Sequence, residues 1–263
     1  RVVRRMGHST LEQIYRLWNG GERLEIVSHA YWEERNTLLR ALFPLRVRSH
    51  EAWFETAFGT IARPTHRNTS WDRARFEVPG LRFADLSQPD YGVSLLTDSK
   101  YGYSASGHTL GLSLLRGPTY PDPFADRGEH RFTYALYPHP GDWRFGTVAE
   151  AHALNAPLVP IVLPGRGGNR PAAGRFIAVD EKGVRLAALK PAEEGAGIIL
   201  RLYEAHGCSA RVRVSLPTPK KWQAWLVDLL EKCLSREKAL DGILSTSLGP
   251  FAVRTFLIAP ESP

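Results

Sequence analysis

Glycine and proline interrupt this chain at short intervals. The 263 residues include 23 Gly and 19 Pro, and both residue types weaken or end helices. Long helices therefore have little room, whereas short strands joined by turns fit the spacing. The pattern predicts an all-β fold, an antiparallel β-sandwich, and disfavours an architecture of alternating strands and helices.

Four segments alternate polar and apolar residues, which is typical of an antiparallel strand with one face in solvent. They are residues 46–48, 201–203, 211–215 and 253–256. A hairpin is predicted around Asn19-Gly20-Gly21, because apolar residues flank this run and its members tolerate the positive φ of a tight turn.

The run PGRGGNRP at 164–171 has the composition of a linker. It divides the chain into a large β-sandwich domain at 1–164, a linker at 165–171 and a smaller carboxy-terminal β domain at 172–263. In the smaller domain, residues 176–189, 197–203, 212–216 and 243–258 are predicted to be extended.

Two segments have helical features. Trp222, Trp225, Leu226, Leu229 and Leu230 recur at helical spacing, so periodicity predicts a helix over 220–234. The second segment, 147–154, contains several good helix formers but is short.

The overall charge raises the question of a nucleic-acid partner. The formal net charge is +7, and Lys and Arg neutralise phosphates. However, the Arg residues are scattered along the predicted strands, and no nucleic-acid-binding motif is present. We therefore expect no nucleic-acid partner.

Other sequence features concern the cellular setting. No run approaches the roughly 20 apolar residues of a membrane helix, and the first residues do not form a signal peptide, so no membrane partner is expected. Cys208 and Cys233 lack the spacing of a zinc or redox motif, which favours a reducing, cytoplasmic location, although a disulfide between the two stays open. The chain starts at Arg1 without Met, as expected for part of a longer protein, although a processed terminus would look the same.

The sequence contains no complete set of catalytic groups. Nucleophile-elbow, phosphate-loop and dinucleotide-binding motifs are absent, and the dispersed His residues predict no metal site. Carboxylates in irregular segments stand at Asp72, Asp85, Asp98, Asp122, Asp126 and Glu129. Their spacing identifies no acid–base pair, and capping of turns accounts for them equally well.

Two segments, 63–72 and 116–130, are rich in polar and aromatic residues. In the second, three prolines stiffen the backbone and present Tyr120, Asp122 and Asp126. Rigid loops of this kind suit sugar recognition, because a ring packs on a pyranose while carboxylates accept its hydroxyl protons. An ordered structural loop explains the composition equally well.

Taken in order, these segments belong to a longer series of distinctive strings. The series comprises WEERNTLLRALFP (32–44), RPTHRNTSWD (63–72), DSKYGY (98–103), LSLLRGPTYPDP (112–123), FTYALYPH (132–139), LKPAEE (189–194), RLYE (201–204) and PFAVRT (250–255). It resembles the carboxy-terminal region of glycoside hydrolase family 38 α-mannosidases over nearly the whole chain. The chain departs from the family pattern at Ser104, where Asp is usual, and at Ala252, where Glu is usual.

The resemblance implies the β-sandwich portion of a retaining exo-α-mannosidase. In that family the zinc ion and the nucleophilic Asp belong to an amino-terminal catalytic domain, so this portion would hold no cofactor and be inactive alone. The implied partners are the catalytic domain and a mannose-containing glycan; an oligomer is also possible. An autonomous carbohydrate-binding module is the alternative.

The resemblance also implies site residues. Arg116 is expected to face the active-site rim, where it would hydrogen-bond a sugar hydroxyl or a catalytic carboxylate, although a structural ion pair would suit it equally. Tyr120, Asp122 and Asp126 would shape that rim. The secondary candidates are His66, Arg67, Asp72, Lys100, Tyr101 and Tyr103. Against the helical periodicity, the resemblance favours an extended conformation over 220–234, with 228–231 in or beside a strand.

Overall fold

The computed structural model describes residues 1–162, 165, 173–216, 222–237, 239–240 and 242–260. Of the predicted linker 165–171, all residues except Gly165 lie outside this set. The chain forms two compact units, one of residues 1–57 and 61–159 and the other of residues 58–60 and 160–263.

The first unit contains twelve strands in two sheets. The strands are β1 Val2–Met6, β2 Ser9–Leu17, β3 Leu24–Trp32, β4 Leu39–Pro44, β5 Glu51–Thr56, β6 Gly59–Pro64, β7 Val78–Pro79, β8 Phe83–Ser87, β9 Tyr91–Thr97, β10 Gly102–Ser106, β11 Thr109–Leu115 and β12 Gly128–Pro140. Eight pair in the order β1-β2-β3-β12-β9-β8-β5-β6, and four in the order β4-β11-β10-β7. Helices α1 Ser70–Ala74 and α2 Thr147–Asn155 and a 3-10 turn at Trp143–Phe145 lie between or after the strands.

The core of the first unit draws on both sheets. Trp32 and Phe54 come from the larger sheet and Leu110 and Leu112 from the smaller one, and all four are essentially inaccessible to solvent. Apolar faces of two antiparallel sheets therefore pack on each other, as in a β-sandwich.

The second unit is built on the same plan. Its strands are β13 Ala178–Val179, β14 Val184–Pro191, β15 Ile198–Glu204, β16 Ala210–Ser215, β17 Trp222–Val227, β18 Cys233–Glu237, β19 Ala239–Leu240, β20 Ile243–Leu248 and β21 Val253–Pro260. They form sheets of order β13-β16-β20-β19 and β14-β15-β21-β17-β18, with Leu200, Val214, Leu244 and Phe256 in the core between them. The predicted antiparallel β-sandwich is confirmed.

The local predictions had mixed outcomes. The hairpin is confirmed, because β2 and β3 pair across a turn in which Gly20 has φ of 75° and the Gly21 amide donates to Trp18 O. Strands at 201–203, 211–215 and 253–256 and the helix at 147–154 are also confirmed.

The predicted strand at 46–48 is wrong. Val47 is buried, but the backbone groups of its two neighbours hydrogen-bond to side chains and not to an adjacent strand. Arg46 O accepts from the Tyr91 hydroxyl, and Arg48 N donates to Gln88 Oε1 at 3.0 Å. The alternation reflects one buried apolar side chain and not a sheet ladder.

The helix predicted from periodicity over 220–234 is wrong over 222–234, and residues 220 and 221 lie outside the described residues. The extended conformation implied by the resemblance is confirmed for 222–227 and 233–234, which belong to β17 and β18, while 228–232 connect these two strands. β17 pairs with both β21 and β18. Asp228 Oδ1 accepts from the amides of Leu230 and Lys232, both at 2.9 Å, and so stabilises the turn between β17 and β18. Pairing on both sides of β17 overrides the local periodicity.

Among the described residues, no helix has the length and apolar character needed to cross a membrane.

Candidate functional site

The connection between β11 and β12, residues 116–127, is called the rim loop below. Asp126 Oδ2 accepts hydrogen bonds from the backbone amides of Arg116 at 2.8 Å and Gly117 at 3.2 Å. Asp122 Oδ1 accepts from the amide of Phe124 at 2.8 Å. Both carboxylates therefore organise the loop backbone, as short acidic side chains commonly do in turns.

Residues 33–36, which follow β3, hold the rim loop through hydrogen bonds. The Asn36 amide donates to Gly117 O at 2.7 Å, and the Thr119 hydroxyl donates to Asn36 Oδ1 at 3.3 Å. Arg127 Nε donates to Glu33 Oε2 at 2.9 Å. These contacts attach both ends of the rim loop to the segment that follows β3.

The supporting residues Glu33 and Asn36 were not among the predicted site residues. Both stand in the WEERN string at 32–36, the first of the strings that carry the family resemblance. That string was the signal that could have identified them. It contains residues that position the loop, while the loop itself carries the exposed groups.

The rim loop presents a cation and aromatic rings to solvent. The Arg116 side chain is exposed, and no ion pair joins its guanidinium to a carboxylate among the described residues. Tyr120 is 87% exposed and Phe124 60% exposed. Arg116, Tyr120, Asn36, Leu38, Pro118 and Thr119 line a shallow depression. The structural ion pair that sequence reasoning left open for Arg116 is therefore absent within the described residues.

Lys100 lies beside the rim loop. Its ammonium is 4.5 Å from the centroid of the Phe132 ring. Burial lowers the pKa of Lys100, and the negative charges of Asp126 and Asp98 partly offset this effect. Lys100 thus places a second positive charge close to the base of the loop.

The two tyrosines of the same string differ in exposure. Tyr101 is 56% exposed. Tyr103 is buried in the core, where its hydroxyl donates to Leu81 O at 3.0 Å, and burial raises the pKa of this phenol well above its usual value. Tyr103 is therefore held within the sandwich, away from the rim loop's exposed face.

The structure places His66, Arg67 and Asp72 together at a different pocket, beside α1. Asp72 and Thr69 form reciprocal capping hydrogen bonds at the start of α1, and these bonds lower the pKa of Asp72. His66 Nδ1 lies 3.7 Å from Asp72 Oδ2. Asp72 is thus the N3 residue of a capping box whose N-cap is Thr69, a structural role of the kind that the sequence left open for such carboxylates.

The described residues do not suit a metal ion. In the parts of the chain that the structure describes, no three His, Cys, Asp or Glu side chains lie close enough to bind one. The buried carboxylate of Asp85 accepts from His139 Nε2 at 2.7 Å and from the Ser94 hydroxyl at 2.7 Å.

Comparison with known families identifies two matching regions. Residues 1–124 match the model described as "Glycosyl hydrolases family 38 C-terminal domain". Residues 183–256 match the model described as "Glycosyl hydrolases family 38 C-terminal beta sandwich domain". The two models fall in the first and second units of the fold, respectively.

Several curated relatives are similar over most of this chain. Alpha-mannosidase 2C1 of Mus musculus is 41% identical over 244 residues, which cover 90% of this chain and 23% of the relative. Alpha-mannosidase G of Dictyostelium discoideum is 35% identical over 95% of this chain and 23% of the relative. The chain therefore spans about a quarter of the length of these relatives.

A solved structure shares the fold. The alpha-mannosidase from Enterococcus faecalis V583 superposes with a TM-score of 0.81 and 18% identity, covering 95% of this chain and 29% of that chain. At this identity the likeness concerns the fold alone.

Proposed function

Because this chain belongs to the carboxy-terminal region of glycosyl hydrolase family 38, we propose that it is the non-catalytic portion of a retaining exo-α-mannosidase. In this proposal it packs on a zinc-containing catalytic domain and completes the rim of the active site. The whole protein would release terminal α-linked mannose from a glycan.

The single observation that carries the proposal is the free guanidinium of Arg116 on an ordered loop. Arg116 has no carboxylate partner among the described residues, although Asp126 and Asn36 fix the loop around it. A planar guanidinium donates several hydrogen bonds in fixed directions, which suits a carboxylate or vicinal sugar hydroxyls. Arg116 would therefore position substrate or a carboxylate of the catalytic domain.

Tyr120 supports the same proposal. Its ring is 87% exposed beside Arg116, and an aromatic face packs on the apolar face of a pyranose. Asp122 and Asp126 act on the backbone and would hold the rim in shape. The described residues supply no nucleophile and no zinc ligands in this proposal, so both belong to the catalytic domain.

A direct assay of the 263-residue chain tests the assignment of chemistry. The chain is expected to release no aryl alcohol from an aryl α-mannoside, with or without added zinc, while the full-length protein does so. Measurable turnover by the chain alone, at a rate that survives repeated purification, would overturn the non-catalytic assignment.

An autonomous carbohydrate-binding module is the second candidate, favoured by the exposed rings of Tyr120 and Phe124. Such a module would bind mannose or short mannosides without a catalytic domain. Calorimetric titration of the chain with mannobiose separates the two functions. Saturable heat of binding favours the autonomous module, and no heat of binding at millimolar ligand favours a portion that only completes the active-site rim.

We further infer a cytoplasmic location. In the described part of the chain, Cys208 and Cys233 are both exposed, unpaired thiols. Exposed free thiols are common in reducing compartments. The location of a tagged full-length protein in cells tests this inference: cytoplasmic signal supports it, and signal in the secretory pathway contradicts it.

A further inference from the structure

A pocket in the first unit is lined by a partly buried arginine, Arg63, one of whose guanidinium nitrogens has no hydrogen-bond acceptor among the described residues. The pocket, called the Arg63 pocket below, lies between β6, the segment around α1, and β10. Arg63 Nη1 is inaccessible to solvent and has no hydrogen-bond partner among the described residues. Buried polar groups are nearly always hydrogen-bonded, so an orphaned guanidinium nitrogen indicates a group that the chain itself does not supply.

The environment of Arg63 makes its charge costly. Its guanidinium carbon is 4.7 Å from the centroid of the Phe54 ring, which offers only a weak cation–π contact. Burial lowers the pKa of Arg63, and repulsion from Arg75 lowers it further. An anion in the pocket would offset both effects.

The carboxylates of the pocket are engaged elsewhere. Asp72 accepts from the Thr69 amide at 3.2 Å and from the Thr69 hydroxyl at 2.8 Å, and it also faces His66 and Arg75. Glu77 accepts from the Ser113 hydroxyl and lies 3.5 Å from Arg40 Nε. Neither carboxylate hydrogen-bonds to Arg63.

The remaining polar lining is cationic or neutral. Arg67 and Arg75 are exposed and line the same pocket as Arg63. Ser104 also lines it, and the Ser104 hydroxyl accepts a hydrogen bond from Arg40 Nη2. Three guanidinium groups therefore share one pocket with two carboxylates that are already satisfied.

We propose that the Arg63 pocket binds a small oxyanion, a phosphate or carboxylate group, with Arg63 as its principal donor. Planar guanidinium groups bind such anions through paired, charge-assisted hydrogen bonds. The adjoining Arg67 and Arg75 would add charge at the same site. This site is separate from the rim loop and does not depend on the function proposed for that loop.

Titration calorimetry of the 263-residue chain tests the proposal directly. Inorganic phosphate and acetate are titrated separately, and chloride at matched ionic strength serves as the control for screening. We expect saturable binding of at least one oxyanion and a corresponding rise in Tm. The two titrations show whether a tetrahedral oxyanion or a carboxylate is preferred.

Two variants locate the binding at this pocket. Arg63→Gln is expected to weaken it by about tenfold or more, because a charge-assisted hydrogen bond is lost. Ser104→Asp places a carboxylate beside Arg40 and inside the pocket, so it is expected to raise Tm without added anion and to abolish the anion-dependent rise. Arg131→Gln, an exposed substitution on β12, serves as the matched control.

Three results would overturn the proposed oxyanion site. They are the absence of saturable binding of either oxyanion, an equal rise in Tm with chloride, and wild-type binding by both pocket variants. Should Arg63→Gln not fold, the Ser104→Asp result decides the matter, since that variant keeps Arg63 in place.

Discussion

The Asp126 carboxylate accepts a hydrogen bond from the Arg116 amide at 2.8 Å, and so ties the end of the rim loop to its start. The contact uses the backbone of Arg116 and leaves its guanidinium available. In this way an acidic residue within the loop orders the backbone that carries the exposed cation.

Replacing Asp126 by Ala should therefore disorder the rim loop while leaving the sandwich folded. The Arg116 and Gly117 amides lose their acceptor, which should lower the free energy of unfolding by about 1–3 kcal/mol. Urea unfolding and limited proteolysis of the loop measure the effect. Asp122→Ala, which removes an acceptor from the single Phe124 amide, is the control and should have the smaller effect on both measurements.

Gly117→Ala should be more destabilising than Gly107→Ala. Both glycines have φ of 58°, so both variants carry the same backbone penalty of about 1–2 kcal/mol. An added Cβ at Gly117 would lie 2.3 Å from Glu34 O, whereas one at Gly107 would meet nothing within 4 Å. Equal unfolding free energies for the two variants would show that residues 33–36 do not support the loop as described.

The sequence indicated residues 33–36, which hold the rim loop, only as part of a distinctive string. The WEERN run was identified through the family resemblance, but spacing alone gave no reason to connect Asn36 with a loop about 80 residues later. The contact depends on β3 and β12 pairing along their length. Long-range pairing of this kind is what local patterns do not encode.

Long-range contacts also explain why the strand predicted at 46–48 and the helix predicted over 220–234 are wrong. Val47 alternates with Arg46 and Arg48, but side chains of Tyr91 and Gln88 occupy the flanking backbone groups. Trp222 to Leu230 repeat at helical spacing, yet β21 and β18 pair with β17. The hairpin at Gly20 was predictable because its signal is local.

The buried pair of Asp85 and His139 should make stability depend on pH. Burial lowers the pKa of His139, but the hydrogen bond and charge of Asp85 outweigh this effect, and Asp142 adds to them, so the pKa is raised overall. The folded chain therefore holds the proton more tightly than the unfolded chain. This contribution is fully present below the unfolded pKa of about 6.5 and is lost as pH rises through the folded pKa.

Asp85→Asn tests this account through urea unfolding at a series of pH values. The substitution should lower the free energy of unfolding by about 3–5 kcal/mol, because it breaks a buried charged pair. It should also flatten the decline in stability above pH 6.5. An unchanged pH dependence would mean that His139 does not titrate with Asp85 as its partner.

Glu204 should be essential to the second unit. Its carboxylate accepts from the amides of His206, Gly207, Cys208 and Phe251 at 2.8–3.1 Å. Glu204→Ala leaves several amides without an acceptor and should lower the unfolding free energy by about 2–4 kcal/mol. Glu193→Ala, which breaks an exposed ion pair with Lys190, should change it by less than about 1 kcal/mol. A similar small change in both variants would contradict the role given to Glu204.

The most direct test of the central claim is kcat/KM of the full-length protein carrying Arg116→Ala, measured with an aryl α-mannoside. Arg131→Ala, at a side chain 78% exposed and paired, among the described residues, with exposed Glu129, is the matched control. Loss of a charge-assisted hydrogen bond predicts a fall of about 10–100-fold for Arg116→Ala, with unfolding stability unchanged, and no fall for Arg131→Ala. If Arg116→Ala retains the kcat/KM of the wild type, the rim loop does not complete the active site.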